Sequence, residues 1–118
     1  MNISPESIPK SVIDFASIAD ITGSDTLAMD LIDTFLVELK KTKQEFVIAA
    51  TAYDIERLRA LCHRLGGATA YFVTPQLNAK LQILHEQLRN EPQDHTEWLP
   101  AYDELIAAID DLSNLCNH

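Results

Sequence analysis

An all-α fold is predicted: four long amphipathic helices in an antiparallel up-down bundle, preceded by one short helix. Three observations lead there. Apolar residues recur at a period near 3.6 over four long stretches, and no segment sustains a strand-like alternation. Three glycines and five prolines in 118 residues are too few for a loop-rich sandwich. A chain of this length builds one core, and 47% hydrophobic with 23% charged residues is an ordinary globular balance.

Residues 1–10, with Pro5 and Pro9, read as a leader or linker, and residues 11–118 as the bundle domain. Val12, Phe15, Ile18 and Ala19 mark a brief helix that stops at Gly23. Ser24 or Asp25 caps the next helix by accepting free first-turn amide hydrogens. That helix runs to about residue 53 on the seam Ala28, Leu31, Ile32, Phe35, Leu39, Phe46, Ala49 and Ala50. Asp54 caps a third helix, through about residue 72, with Leu58, Leu61, Cys62, Leu65, Ala68, Thr69 and Phe72 on one face. Thr74-Pro75 is a restart, a capping hydroxyl before a proline at the first helical position. Leu77, Leu81, Leu84 and Leu88 then form a stripe that ends before the polar loop 90–94. The last helix is expected from Asp94 or Thr96, because Asp94 and Glu97 have capping-box spacing. Its stripe is Trp98, Tyr102, Leu105, Ile106, Ile109, Leu112 and Cys116. Short connections between long helices make the up-down bundle the economical arrangement, with the first helix covering one end.

Nine Lys and Arg against eighteen Asp and Glu leave a net charge of -9. Such a surface repels nucleic-acid phosphates and anionic lipid, so neither is an expected partner. No apolar run approaches the ~20 residues that span a bilayer, and the N-terminus has no basic-then-apolar export signal. Cys62 and Cys116 are too few for a disulfide framework and suit a reducing compartment. A cytoplasmic, monomeric domain is the expectation. After Asn90 come seven acids and no Lys or Arg, read as the solvated outer face of the last helix.

Phosphate-loop, nucleophile-elbow and dinucleotide glycine signatures are absent. The Glu-x-x-His pairs of a di-iron bundle are missing too, and His85, His95 and His118 have no partner at ligand spacing. No metal is expected. The two cysteines fall on apolar stripes and read as small core residues.

One stretch resists a purely structural account: Cys62-His63-Arg64-Leu65-Gly66-Gly67-Ala68-Thr69-Ala70. Two adjacent glycines inside a helix cost roughly 1 kcal/mol each relative to alanine. The helical wheel puts Glu56, Arg59, Ala60, His63, Gly66, Gly67 and Ala70 on the strip away from the apolar stripe. An exposed imidazole thus stands mid-helix with missing side chains one turn beyond, which lets another protein approach the ring. The competing reading has the glycines serving close helix packing, with His63 an incidental surface residue.

At these residues the chain resembles the histidine-containing phosphotransfer (HPt) domain, whose motif is His-x-x-Lys-Gly-x-Ser/Ala on a helix of a four-helix bundle. His63 matches the phosphorylated histidine, Leu65 the apolar position after it, Gly67 the glycine and Thr69 the small residue. The likeness runs from about Phe15 to Leu112 in helix order and length, and is closest to C-terminal HPt modules of hybrid sensor kinases. Three positions depart from the pattern. Gly66 stands where the family usually has Lys, Val73 where a glycine is common, and His85 where many members place a Gln near the active ring.

The resemblance implies a phosphorelay intermediate. A phosphoryl group would sit on His63 and exchange with an aspartate of response-regulator receivers, docked over Gly66, Gly67 and Ala70. An imidazole titrates near about pH 6.5 and keeps a nucleophilic nitrogen at neutrality. Phosphoryl transfer depends on positioning and charge neutralisation. Magnesium is therefore expected only in the receiver, with no cofactor and no autonomous kinase activity here. A sensor histidine kinase would be the second partner, either separate or in the same parent chain. With Lys absent at position 66, the candidate cations are Arg59, Arg64, Lys80 and Arg89. Arg59 comes first because an i−4 residue shares the face of His63; the alternative pairs it with Glu56 or solvent. His85 either orients His63 or is a rim residue. The alternative function is a helical adaptor, or a degenerate HPt domain that docks receivers without carrying phosphate, favoured by the missing Lys.

Overall fold

The computed structural model describes residues 13–71, 74–89 and 95–115. Among them the chain forms five α-helices and one 3-10 turn, with no strand. The helices are α1 (Phe15–Thr22), α2 (Asp25–Thr51), α3 (Ile55–Tyr71), α4 (Pro75–Arg89) and α5 (Leu99–Leu115), with the 3-10 turn at His95–Glu97. The expected leader at 1–10, Val12, Phe72, Val73, the loop 90–94 with its Asp94 cap, Cys116 and His118 lie outside the described residues.

Local chemistry explains most of the boundaries. Asp14 opens α1 by accepting from the Ser17 amide at 3.2 Å. Gly23 closes it at φ 79°, a left-handed turn that glycine enters without a Cβ clash. Ser24, rather than Asp25, is the cap of α2, its hydroxyl accepting from the Leu27 amide at 3.3 Å. Asp25 sits in the first turn, where a carboxylate complements the helix dipole. The end of α2 has no glycine. Tyr53 takes the left-handed conformation instead (φ 54°), and the Asp54 amide closes on the Ala49 carbonyl at 2.9 Å. The Asp54 carboxylate then accepts from the Arg57 amide at 3.1 Å and caps α3.

Two expectations need correcting. The Thr74 hydroxyl does not cap α4; it donates back to the Thr69 carbonyl at 3.3 Å, where the Thr74 amide also ends. Carbonyls in the last turn of a helix lack intrahelical donors, and Thr74 fills that need for α3 while Pro75 starts α4. The last helix begins at Leu99, later than residues 94–96, because the chain first makes the 3-10 turn. The Trp98 carbonyl accepts the first α5 bond, from Tyr102, at 3.0 Å.

Helix α2 packs against α1, α3 and α5; α3 packs against α4, and α4 against α5. Phe46, Leu58, Leu84, Leu88, Trp98 and Leu105 are fully buried among them. The Trp98 and Tyr102 rings meet edge-on at 6.0 Å. Leu36, Ala101 and Ala108 join the core although the predicted stripes omit them, while Leu31, Ala50, Ala68 and Ile106 are only half-buried. A helix touching several neighbours buries a wider arc than a single 3.6-period stripe.

Polar pairs set the register between helices. Both Arg57 and Arg64 of α3 donate to the Glu45 carboxylate of α2 at 2.6 Å. Lys43 reaches Asp110 of α5 at 2.6 Å, and Lys80 of α4 reaches Glu104 of α5 at 2.7 Å. Thus Glu104 and Asp110 are ion-paired to neighbouring helices, whereas Glu97, Asp103 and Asp111 fit the outer face expected for the acids. Glu91 and Asp94 lie outside the described residues.

The Arg64 hydrogen bond, opposed by burial and helped by the charges of Arg64 and Arg57, holds the Glu45 carboxyl below its ordinary 4.5. Its contribution is therefore complete above about pH 4.5 and is lost as pH falls through the lower folded value. Glu45→Gln should cost about 1 kcal/mol or less at neutral pH, since the pairs are partly exposed. Thermal melts at neutral and acid pH check this: the difference from the wild type should vanish in acid, and a constant difference would contradict it.

Candidate functional site

The rotation of α3 decides what each side chain can reach. Leu58, Leu61, Cys62, Leu65 and Thr69 are buried, while Glu56, Ala60, His63 and Gly67 are exposed on the opposite strip. The guanidinium groups of Arg57 and Arg64 turn to α2, and that of Arg59 turns to α4. His63 stands mid-helix, and among the described residues no hydrogen bond or ion pair engages its ring.

The two glycines are not equivalent. A Cβ on Gly67 would meet nothing within 4 Å, so this position is open surface. A Cβ on Gly66 would lie 3.8 Å from Leu81 Cδ2, an ordinary contact with α4. Close packing therefore does not require either glycine. Ala70 follows on α3, its side chain outside the described residues.

The candidate cations are largely engaged elsewhere. Arg59 donates from Nε and Nη2 to the Leu88 carbonyl at 2.9 and 2.7 Å. The guanidinium caps the last turn of α4 rather than pairing with Glu56, and its charge stays on the strip it shares with His63. Arg64 is held by Glu45, and Lys80 lies on the α5 flank with Glu104. Arg89 is exposed in the last turn of α4, where a cation suits the helix dipole, and has no partner among the described residues. His85 is half-buried on α4.

Thr69 carries more than the small-residue role read from the motif. Its hydroxyl lies 3.1 Å from the Gly66 carbonyl and 3.0 Å from Asn78 Oδ1, and donates its one hydrogen to either. Its own carbonyl takes both donors of Thr74. The signal was a hydroxyl on an otherwise apolar stripe. Cys62 is buried, and burial pushes its thiol up to about 12, so it is a core residue without thiolate chemistry. Among the described residues no cluster of three or more His, Cys, Asp or Glu could hold a metal ion, and no helix is long and apolar enough to cross a membrane.

Residues 30–115 match the sequence profile of the Hpt domain, which covers α3 with its histidine, all of α4 and α5, and most of α2. The chain belongs to the Hpt domain family. No curated protein and no solved structure matches it. Hpt domains are phosphocarrier modules of two-component signalling that interact with response regulators and kinases. His63 lies inside the matched segment, exposed and one turn from the open surface at Gly67.

Gly67→Gln should leave the fold intact or stabilise it by up to about 1 kcal/mol, because nothing there is overpacked. The same side chain should weaken transfer to any partner that covers His63. Melting temperature and transfer rate together test this, and a destabilised domain with normal transfer would return Gly67 to a packing role. Arg59→Ala should cost about 1–3 kcal/mol by leaving the Leu88 carbonyl without its charged donor. Urea unfolding measures that directly; an unchanged midpoint would show the contact to be idle.

Proposed function

We propose that this Hpt domain is a phosphorelay intermediate that carries a phosphoryl group on His63 and exchanges it with an aspartate of response-regulator receivers. The observation that carries the reading is the exposed, unengaged His63 ring at the motif position of the family. The lone pair of a ring nitrogen attacks phosphorus, and a P–N bond forms as the P–O bond of the receiver's aspartyl phosphate breaks. The carboxylate leaves with the electron pair. The partner brings the aspartate and magnesium, so the domain supplies position and access rather than catalysis. A sensor histidine kinase, in the same parent chain or separate, is the other expected partner, and the domain needs no kinase activity of its own. We read α2 to α5 as an antiparallel up-down four-helix bundle in a cytoplasmic monomer. Opposed pairings along α3 and α4, Arg59 with Leu88 and Thr69 with Asn78, support that topology.

A second reading has a specific observation behind it. Gly66 replaces the family's Lys, and Arg59, Arg64 and Lys80 are engaged, which leaves Arg89 as the one candidate cation without a partner among the described residues. Receiver docking without phosphate transfer would follow if nothing neutralises the phosphoryl oxygens.

Mixing the domain with a phosphorylated receiver separates the two. Transfer leaves acid-labile, base-stable phosphate on the domain, whereas an adaptor binds without label. His63→Gln should abolish the label and leave melting nearly unchanged, as a surface substitution does. Label persisting in that variant would move the site, with His85 the next residue to test.

A further inference from the structure

We propose that the outer face of α2 is a self-association surface, on which two copies of this chain pair antiparallel with Val37 at the two-fold axis. The inference goes beyond the phosphorelay reading and does not depend on it.

Helix α2 is the longest of the five, and its neighbours α1, α3 and α5 cover only part of its circumference. At 27 residues it is about 40 Å long. The strip that steps through Asp30, Asp33, Val37, Lys40 and Gln44 is exposed at each of those positions. Steps of three and four residues trace the seam along which one helix lies against another. Large apolar side chains are exposed on this helix at its centre, Val37 (56%), and toward its ends, Leu27, Val47 and Ile48 (69%). Scattered exposure of this kind is ordinary and decides nothing by itself. The charges decide.

Those charges are segregated along the strip. Asp30 and Asp33 precede Val37, and Lys40 and Lys41 follow it. Asp33 and Lys40 are two turns apart, beyond the one-turn spacing at which helical side chains pair. Among the described residues, the side chains of Asp30, Asp33 and Lys40 make no hydrogen bond or ion pair, and Lys41 has only an exposed pair with Glu38 at 3.5 Å. By contrast, the charges that α2 turns toward its neighbours, Lys43 and Glu45, are paired at 2.6 Å.

A second copy supplies what the strip lacks. With Val37 on Val37 in an antiparallel pair, Asp33 comes level with Lys41 of the other copy, Asp30 with Gln44, and Leu27 with Val47. The two-fold makes each contact twice. A parallel pair would set Asp30 on Asp30 and Lys40 on Lys40, so the charges select the antiparallel one. The strip itself is neutral, two acids against two lysines, on a chain of net charge -9. Repulsion between the remaining charges is screened beyond about 10 Å at about 0.1 M salt, whereas the Asp–Lys pairs meet in contact. One helix pair is a small interface, so the dilute domain stays the monomer read above and pairing sets in on the order of 0.1 mM. His63 is on α3, so neither ring belongs to the contact.

Sedimentation velocity from about 10 μM to about 1 mM tests this on the 118-residue chain, on K40E/K41E, on D30K/D33K and on an equimolar mixture of the two variants. The wild type should shift from monomer to dimer across that range. Each double variant should remain monomeric, because Glu then meets Asp, or Lys meets Lys, at both contacts. Mixed, the two should form a one-to-one heterodimer, since every contact pairs opposite charges again. All four positions are exposed, so circular-dichroism melting should show folded variants. A wild type still monomeric at about 1 mM, a dimer that survives both double substitutions, or a mixture that fails to recover it would each overturn the pairing. A monomeric wild type whose variants instead weaken receiver binding would give this face to a receiver, and overturn it too.

Discussion

The site depends on the register between α3 and α4. Leucines along both helices supply the adhesion, but apolar contacts are non-directional and tolerate sliding. Direction comes from the polar contacts at the two ends of the interface. The Arg59 guanidinium grips the Leu88 carbonyl at one end, and Thr69 meets Asn78 while binding Thr74 at the other. A shift of one residue along either helix would rotate these side chains by about 100° and break both contacts. With both in place, Gly66 lies against Leu81 and the His63 strip is left on the outside.

Charge is distributed to the same effect. An acidic chain with nine cations has few to spend near a phosphoryl group, and most of those near α3 serve the bundle. Glu45 gathers Arg57 and Arg64 on the α2 flank, Lys43 pairs with Asp110, and Lys80 with Glu104. Each pair is partly exposed and contributes little alone, yet each fixes where a long side chain lies. The strip of α3 around His63 consequently has few uncommitted cations and an open approach, with nothing within 4 Å of a Cβ on Gly67.

Much of this was legible in the sequence. Periodicity places the apolar faces, and capping chemistry places Ser24, Asp54 and the glycine stop at Gly23, because these depend on neighbours within one turn. Exposure of His63 follows as well, from its position opposite Leu58, Leu61 and Leu65. The left-handed Tyr53 was not legible, since no glycine announces it. The Thr74 hydroxyl was misread because its acceptor, the Thr69 carbonyl, becomes available only when α3 ends close to the start of α4.

The sequence by itself determined an all-helical chain, the face that each helix buries, and the solvent-facing histidine with its Hpt motif, because local geometry and a 3.6-residue period settle those features. Tertiary structure alone decided what the long side chains do. Arg59 shares a helix face with His63, and nothing in that spacing announces that the carbonyl of Leu88, 29 residues away in the chain, holds its guanidinium. The two glycines are adjacent and identical in sequence, yet one faces Leu81 and the other faces open space. The physical reason is the same in both cases. A side chain's partner is set by which helix lies across from it and in what register, and no pattern within a single helix contains that information.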